Sequence, residues 1–183
     1  LTQNGAISFV CVLDDRTEKI EKLAQATANE NVTSIAGVPT WTLLLMKRIL
    51  DIKGKQKIEE VWPNLELYIH GGVSFVPYKE QFENIIGKKI NYLEVYNASE
   101  GFFAAQEKPA DDGMTLFTEH GIFYEFMPVD EHGKENPKTV GLNEVQLYKN
   151  YAPVISTTGG LWRYLIGDTV QFTSINPYRI KVS

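Results

Sequence analysis

The organisation of the chain changes at residues 90–101, which have the sequence INYLEVYNASEG. The run 90–96 predicts a buried strand, and it leads directly into Asn97, Ala98, Ser99 and Glu100. Before this stretch, strand-like and helix-like segments alternate. After Gly101 the segments are short, separated by turn residues and without helical periodicity. We therefore expect a helix-covered sheet in the first half and a mostly β second half.

The first half contains three segments with helical spacing of apolar residues and recognisable ends. A capping box is plausible from Asp15, and Pro39 and Pro77 suit the first turns of the two later helices. Glycines at positions 54 and 87 would end those helices. The predicted helices run over 16–29, from Pro39 to Gly54 and from Pro77 to Gly87, and the predicted strands are 6–13, 32–36, 65–69 and 90–96.

The second half contains short strand-like runs joined by polar turns. The predicted loops are 108–113 and 129–139, where proline, glycine and charged residues cluster. The fold class is therefore α/β, or mixed α+β, with an α/β portion over 1–107 and a β-rich portion over 108–183. The predicted strands of this half are 101–106, 114–118, 122–127, 144–148, 152–157, 168–172 and 178–182.

Charge and composition argue against several classes of partner. Lysine and arginine number 18 against 23 acids, so the net charge of −5 leaves little attraction to nucleic acid. No apolar stretch is long enough for a membrane span, and no signal peptide is recognisable. The one cysteine, Cys11, would pack as a small hydrophobe without a disulfide. We expect a cytoplasmic protein that binds neither nucleic acid nor a membrane.

Residues 96–101 are the first candidates for chemistry. A tyrosine at a strand end can place its ring on a purine, while Ser99 and Glu100 can reach an α-phosphate and a Mg²⁺ ion. In the alternative interpretation, Tyr96 is a core aromatic residue, Ser99 a turn residue and Glu100 a solvated acid. Short polar turns after strands are common, so both interpretations stay open.

Residues 164–168, with the sequence YLIGD, form the second candidate motif. Gly167 lets the backbone approach a ligand closely, and the two oxygens of Asp168 could each accept a hydrogen bond from adjacent ribose hydroxyls. The alternative is a plain turn, because Gly-Asp is a common turn dipeptide. That turn would join residues 162–164 and 169–171 in a hairpin.

The third candidate follows the predicted strand 65–69. Gly71 and Gly72 could let this strand end approach an adenine or an acyl chain, with Val73 and Phe75 on the neighbouring wall. His70 is a candidate catalytic base or acceptor at the rim. A bulge or tight turn explains the glycines equally well, and His70 could be a hydrogen-bonded structural residue. The sequence shows neither a zinc-ligand spacing nor a Gly-x-Ser-x-Gly elbow, so it does not support a serine hydrolase.

The order of these elements resembles one family. Together with residues 34–41 (SIAGVPTW) and 61–67 (VWPNLEL), the series resembles the acyl acid amido synthetases of the auxin-responsive-promoter family, in its bacterial branch. These belong to the acyl-adenylate-forming enzymes. The likeness extends from Ala6 to the C-terminal end of the chain. It implies that the chain is a fragment of the N-terminal domain of an adenylate-forming enzyme, with a fold like that of acetyl-CoA synthetase.

Matching positions carry the family's residue roles onto this chain. The resemblance implies that Tyr96 contacts adenine, Ser99 the α-phosphate and Glu100 the magnesium ion. It implies that Asp168 binds the ribose hydroxyls. Gly71 and Gly72 match the glycines beside the adenine and the acyl group. The candidates for the wall of the acyl site are Val38, Val73, Phe75, Phe102 and Phe103.

The chain departs from the family pattern in three respects. Many relatives have arginine directly after the tyrosine of the second motif, where this chain has Leu165, so Arg163 is the nearest basic candidate for cofactor binding. The family's glycine- and serine-rich phosphate loop is not found before Ala6. The hinge and the mobile C-terminal domain are expected after Ser183. We therefore expect the middle of a longer enzyme, inactive as a fragment.

The resemblance implies an ATP- and Mg²⁺-dependent ligase. It would convert a carboxylic acid into an acyl-adenylate and join the acyl group to an amine or amino acid, mainly by positioning and charge stabilisation. The alternative is a non-catalytic small-molecule-binding or interaction module with a nucleotide-shaped pocket. The ligase hypothesis requires the acids at positions 100 and 168 to converge on one AMP-sized hollow.

Overall fold

The computed structural model of the protein describes residues 16–183. The predicted strand 6–13, Cys11 and the start of the predicted capping box at Asp15 lie outside the described residues. The chain divides into two compact units between Leu93 and Glu94. Each unit contains its own cluster of buried apolar residues, and each is described separately.

The first unit combines three helices with two parallel strands. Its helices are α1 (Arg16–Thr27), α2 (Pro39–Lys53) and α3 (Lys79–Ile86), and its strands are β1 (Ser34–Gly37) and β2 (Leu67–His70). In the parallel register, Ser34 lies opposite Leu67 and Gly37 opposite His70. The predicted alternation of helices and strands is confirmed, although both strands begin two residues later than predicted.

Helix α2 shows why the predicted helix ends are accurate. Pro39 occupies the first turn, where a missing N–H costs no hydrogen bond, and Gly54 ends the helix with a left-handed φ of 61°. Between these ends, Met46 and Ile49 are fully buried in the core of the first unit. The residues at the two ends and the burial of one apolar face therefore support the same helix.

The predicted third helix is two consecutive elements. A 3₁₀ helix (Val76–Tyr78) contains Pro77, and α3 follows it and ends at Gly87. Gly87 has a φ of 88°, and a Cβ atom there would lie 2.7 Å from Oε1 of Glu59. The left-handed backbone conformation favours glycine at this position, and any side chain would also have to displace the Glu59 carboxylate.

The second unit is built on an antiparallel sheet. The strand β3 (Asn91–Ala98) crosses the division between the units, and the neighbour order is β3, β4, β5, β10, β9, β7, β6, with β8 paired to β7. The mostly β second half is therefore confirmed. The other strands are β4 (Gly101–Ala105), β5 (Met114–Leu116), β6 (Ile122–Pro128), β7 (Asn150–Thr157), β8 (Tyr164–Leu165), β9 (Val170–Ile175) and β10 (Tyr178–Val182).

Three details of the second half differ from the prediction. Residues 144–148 are not a strand, because a 3₁₀ helix (Leu142–Glu144) forms there, with the Gly141 N–H donating to the Glu144 carboxylate over 3.0 Å. The hairpin between 162–164 and 169–171 is wrong, because Tyr164 pairs with Ile155 of β7. The strand predicted at 168–172 lies later, at Val170–Ile175, so that Asp168 precedes it.

The division between the units and the predicted change of segment type lie at different positions. The sequence analysis places the change of segment type after Gly101 and the border of the two predicted portions after residue 107, whereas the compact units divide between Leu93 and Glu94. The reason is that β4 pairs with both β3 and β5, which places residues 94–107 with the antiparallel sheet. None of the helices within residues 16–183 is long and apolar enough to span a membrane.

Candidate functional site

A β-hairpin presents Ser99 and Glu100. Ala98 of β3 pairs with Gly101 of β4, so the two residues between them form the hairpin loop. Ser99 is exposed and Glu100 is half-buried. A Cβ atom on Gly101 would lie 3.0 Å from side-chain carbons of Ile122 and Phe103, so little space remains for a side chain there. The loop is a short polar turn, and it places the side chains of Ser99 and Glu100 at the end of the hairpin formed by β3 and β4.

The hydroxyl of Tyr96 connects the two motifs. It donates a hydrogen bond to Oδ2 of Asp168 over 2.8 Å. The Tyr96 side chain is only 6% exposed, and its ring centroid lies 5.0 Å from that of Phe103. Burial, followed by the hydrogen bond to Asp168, raises the pKa of Tyr96 well above its usual value. The hydroxyl therefore stays protonated as a permanent donor to the carboxylate.

A second tyrosine reaches the other acid. Tyr164 lies on the short strand β8, whose pairing with β7 places it opposite Ile155. The neighbouring Glu100 carboxylate raises the pKa of Tyr164. The two motifs are thus joined by the hydrogen bond from Tyr96 to Asp168, and Tyr164 of the second motif lies near Glu100 of the first.

Glu100 lines an open cleft of about 340 Å³ in the second unit. The sequence analysis did not identify most of this lining. No local sequence signal marks this lining, because it depends on the pairing of β6 with β7, in which Ile122 lies opposite Thr157 and the residues before β6 come beside those after β7. The lining residues are Glu100, Gly101, Phe102, His120, Gly121, Ile122, Thr157, Thr158 and Gly159.

The cleft fits a magnesium ion only if a ligand supplies most of the oxygen atoms. Within residues 16–183, no group of three or more His, Cys, Asp or Glu side chains could hold a metal ion. Magnesium usually takes one or two protein carboxylates and completes its shell with waters and substrate phosphates. The half-buried Glu100 carboxylate in an open cleft meets that requirement.

The two adjacent phenylalanines on β4 differ in their surroundings. Phe102 is 46% exposed, lines the cleft and packs on Phe117 at a centroid distance of 5.2 Å. Phe117 in turn lies 4.7 Å from the ring of His120. Phe103 is only 1% exposed and belongs to the core. Phe102 is therefore the accessible member of the pair, as alternation along a strand requires.

The side chain of Arg163 binds the carboxylate of Glu125 on strand β6. Its Nε and Nη2 atoms donate to the two carboxylate oxygens of Glu125 over 2.9 and 3.0 Å, and Nη2 also reaches Oγ1 of Thr139 over 3.2 Å. Hydrogen bonds from Thr139 and Arg163 lower the pKa of Glu125. The Arg163 backbone has a left-handed φ of 46°, and its N–H donates to Oγ of Ser156. The arginine is held at both its backbone and its side chain.

His70 is buried at the end of β2 in the first unit. It is 5% exposed, and its ring stacks on Phe75 at a centroid distance of 4.3 Å. Burial lowers the pKa of His70 to about 4, so the imidazole is neutral at physiological pH. Its Nδ1 atom has no hydrogen-bond partner among the described residues.

The other candidates of the first unit follow His70 closely. Gly71 is half-buried, and Gly72 has a left-handed φ of 80°. A Cβ atom on Gly72 would lie 3.5 Å from Cγ2 of Val38, and the side chains of Val38 and Val73 are both exposed. The first unit thus brings Gly72 beside Val38, while the second brings together Tyr96, Glu100, Phe102, Tyr164 and Asp168.

Comparison with known proteins gives consistent matches. The family model for the GH3 family N-terminal domain matches residues 4–90, and the model for the GH3 family central domain matches residues 115–183. The chain is 30% identical to indole-3-acetic acid-amido synthetase GH3.3 of Arabidopsis thaliana over 124 residues, covering 63% of this chain and 20% of that protein. It is 34% identical to jasmonoyl-L-amino acid synthetase JAR4 of Nicotiana attenuata over 121 residues, with coverages of 62% and 21%.

Solved structures show the same fold. AtGH3.15 acyl acid amido synthetase in complex with 2,4-DB aligns with a TM-score of 0.72 at 15% identity, over 92% of this chain and 38% of that one. A 2-hydroxyisobutyryl-CoA ligase in complex with 2-HIB-AMP and CoA aligns with a TM-score of 0.62 at 15% identity, over 90% and 35%. The predicted fold class, that of the adenylate-forming ligases, is thereby confirmed.

The family follows from the two family models. The chain spans about a fifth of the length of the curated relatives that it matches. The two models match different domains of one family, and together they account for most of residues 4–183. The resemblance to this family is confirmed, and the chain belongs to the GH3 family.

Proposed function

We propose that the protein carrying this chain is an ATP-dependent ligase that activates a carboxylic acid as an acyl-adenylate and transfers the acyl group to an amine or amino acid. The observation that carries the proposal is the hydrogen bond from Tyr96 to Asp168, which joins two motifs 72 residues apart. Glu100 of the first motif lines an open cleft in the same unit. The names of the amido synthetase relatives support the same reaction class.

The residue roles follow from the chemistry of each side chain. Asp168 accepts hydrogen bonds from the two ribose hydroxyls, because a carboxylate offers two oxygens at suitable spacing. Ser99 donates to the α-phosphate from the exposed hairpin loop. Glu100 would hold a Mg²⁺ ion, which supplies positive charge to the phosphates when bound. Tyr96, Gly71, Gly72 and Arg163 belong to the nucleotide side of the site in this proposal.

The acyl side of the site is apolar. Phe102 offers exposed aromatic surface in the cleft, and Val38 and Val73 are exposed in the first unit. Phe75 is buried in the first unit and Phe103 in the second, and in this proposal each supports the exposed acyl-site candidates of its own unit. His70, which is neutral because of its burial, acts as a hydrogen-bond partner and not as a cation. The acid and the acceptor are small molecules whose identity this wall does not define.

The two half-reactions balance without a protein nucleophile. A carboxylate oxygen of the acid attacks the α-phosphorus of ATP, the bond to the β-phosphate breaks, and pyrophosphate leaves. The acceptor amine then attacks the acyl carbon, the bond to the AMP oxygen breaks, and AMP leaves as the amine loses a proton. The protein contributes orientation and charge stabilisation in both steps.

The proposal includes the setting of the protein. We place it in the bacterial branch of the family and in the cytoplasm, with no nucleic acid or membrane partner. The net charge of −5 supports the absence of a nucleic acid partner, because a phosphate backbone repels an acidic protein. The small-molecule acid and the amine or amino acid are then its partners in the reaction, together with ATP.

ATP–pyrophosphate exchange tests the reaction class. The full-length protein is incubated with a panel of carboxylic acids, ATP, Mg²⁺ and labelled pyrophosphate, and label entering ATP is measured. We expect exchange that depends on one class of acid, followed by amide formation when amino acids are added. AMP binding by a folded protein without exchange for any acid would favour a non-catalytic binding module and overturn the proposal.

A further inference from the structure

We propose that Tyr68 and Thr42 are positioning residues of the acyl site, and that their hydroxyls hold Val38 as a fixed wall beside Gly72. The inference rests on the proposed function, which places Val38 on the acyl side of the site. It goes beyond that function because neither hydroxyl is among the groups proposed to contact a substrate. Both act on the backbone around Val38, which joins β1 to α2.

The hydroxyl of Tyr68 holds the peptide group that precedes Val38. It donates a hydrogen bond to the carbonyl oxygen of Gly37 over 2.7 Å. The Tyr68 side chain is fully buried, and its ring stacks on Phe82 of α3 at a centroid distance of 4.5 Å. A ring packed in this way cannot follow a moving backbone, so the core of the first unit holds the end of β1 in place.

Thr42 holds the peptide group that follows Val38. The carbonyl oxygen of Val38 accepts hydrogen bonds from both the backbone N–H and the Oγ1 hydroxyl of Thr42, each over 3.1 Å. A bond from threonine to the carbonyl four residues earlier is common in helices, and here that carbonyl belongs to the candidate wall residue. Thr42 is only 4% exposed, and its Oγ1 atom lies 3.0 Å from the position that a Cβ atom on Gly37 would take. The hydroxyl is therefore packed onto the end of β1.

Val38 has little freedom left between these two attachments. Its φ of −67° and ψ of 133° are the extended values that the following Pro39 favours. Branching at Cβ also restricts the rotation of the valine side chain. That side chain is 37% exposed, and its Cγ2 atom lies 3.5 Å from the position of a Cβ atom on Gly72. The two residues thus form a defined wall just beyond the carboxyl ends of β1 and β2, where α/β sheets bind ligands.

Pyrophosphate exchange by the full-length protein tests the inference with acids of graded size. The panel contains straight-chain carboxylic acids from propanoate to decanoate and their phenyl-terminated counterparts. In Tyr68→Phe, which removes the hydroxyl and keeps the ring, we expect the KM for the best acid to rise about fivefold. The preference for that acid over the acid two carbons longer should fall by a similar factor, because a loosened wall admits the extra length. The KM for ATP and the kcat should stay as in the wild type.

Thr42 provides an independent pair of variants. Thr42→Val keeps the shape of the side chain without its hydroxyl and should reproduce the effect of Tyr68→Phe on the choice of acid. Thr42→Ser keeps the hydroxyl and should retain the wild-type choice. In a Val38→Ala background, Tyr68→Phe should have no further effect on the choice of acid, because the residue through which it acts has already been shortened.

Tyr92→Phe is the matched control. The Tyr92 hydroxyl is buried in the first unit and has no hydrogen-bond partner within residues 16–183. Its ring lies 6.4 Å from that of Tyr68, so the substitution removes a buried hydroxyl from the same aromatic cluster. Because that hydroxyl holds no backbone group, its removal should leave the KM values and the preferred acid unchanged.

A purely structural role of Tyr68 would reduce the fraction of active protein, so that kcat falls equally for every acid while each KM is unchanged. That result would overturn the inference, and so would a full effect of Tyr68→Phe in the Val38→Ala background. If Tyr68→Phe does not fold, an unchanged choice of acid in Thr42→Val would overturn it instead. Exchange by the wild type would leave the proposed function intact in each case, whereas a wild-type protein without exchange for any acid would overturn both.

Discussion

Asp168 accepts a hydrogen bond from Tyr96, 72 positions away in the chain, and it is the proposed ribose-binding residue. We expect Asp168→Asn to reduce AMP affinity at least about tenfold, because hydrogen bonds to a charged acceptor contribute more than those to an amide. Titration calorimetry on the full-length protein measures this. The control is Asp130→Asn, which changes an exposed acid of a 3₁₀ turn in the same way. Equal losses in both variants would contradict the role of Asp168.

His70 should make the stability of the protein depend on pH. Its pKa is lowered from 6.5 to about 4 by burial, so the unfolded chain takes up a proton at a higher pH than the folded protein does. Stability is therefore expected to fall as the pH decreases from 6.5 towards 4, by at most about 1.4 kcal/mol per pH unit from this group.

His70→Phe isolates that contribution. The substitution keeps an aromatic ring against Phe75 and removes the titrating group. Chemical denaturation between pH 7 and pH 4.5 should show a smaller pH dependence of the free energy of unfolding than in the wild type. Identical slopes in wild type and His70→Phe would show that His70 stays solvated.

Sequence analysis identifies the acids of the site but not the contacts that hold them. Glu100 and Asp168 stand out because each lies beside a glycine and near a tyrosine after a strand-like run. The hydrogen bond between Tyr96 and Asp168 depends on strand order across the sheet, which no local pattern encodes. The burial of Phe103 and exposure of Phe102 likewise depend on which face of β4 meets the core.

At the scale of elements, local end signals predict helices better than strands. Pro39 at the start of α2 and the left-handed Gly54 after it can both be recognised in the local sequence. They predict both ends of the helix to within one residue. Strand pairing is not local, so the sequence left open a hairpin around Gly167 and Asp168 as the alternative interpretation, whereas β8 pairs with β7. Residues 144–148 have strand-like composition, yet the Gly141–Glu144 hydrogen bond forms a 3₁₀ helix at their start.

A glycine at the junction of β5 and β10 should be the least replaceable loop residue of the second unit. Gly113 has a φ of 99°, and a Cβ atom there would lie 2.6 Å from Oγ1 of Thr173 and 3.0 Å from the backbone oxygen of Ile180. Gly133 has a φ of 81° with no atom within 4 Å of such a Cβ. Gly113→Ala should therefore cost about 1–3 kcal/mol more than Gly133→Ala.

Thermal denaturation of both alanine variants measures the difference. Both substitutions place alanine in a left-handed conformation, which costs about 1–2 kcal/mol by itself. The additional loss of stability in Gly113→Ala reports the contact between the new methyl group and the neighbouring backbone. Equal melting temperatures for the two variants would show that β5 and β10 move apart to accommodate the methyl group.

At the scale of the whole molecule, the two compact units should respond separately to core damage. Ile58 is fully buried in the core of the first unit and Ile180 is 1% exposed in that of the second. Replacing either by alanine should cost about 2–5 kcal/mol. Hydrogen exchange followed by mass spectrometry should show faster exchange within residues 16–93 for Ile58→Ala and within 94–183 for Ile180→Ala. Acceleration of both ranges by either variant would show a single cooperative unit.

The hydrogen bond between Tyr96 and Asp168 also has an evolutionary consequence. Because neither position is free to change without altering the partner's environment, the two should be inherited as a pair among homologous proteins. A homologue with phenylalanine at the position of Tyr96 would need a donor from elsewhere, or a different way of recognising the sugar. Covariation between these two distant columns of an alignment would be the record of that constraint.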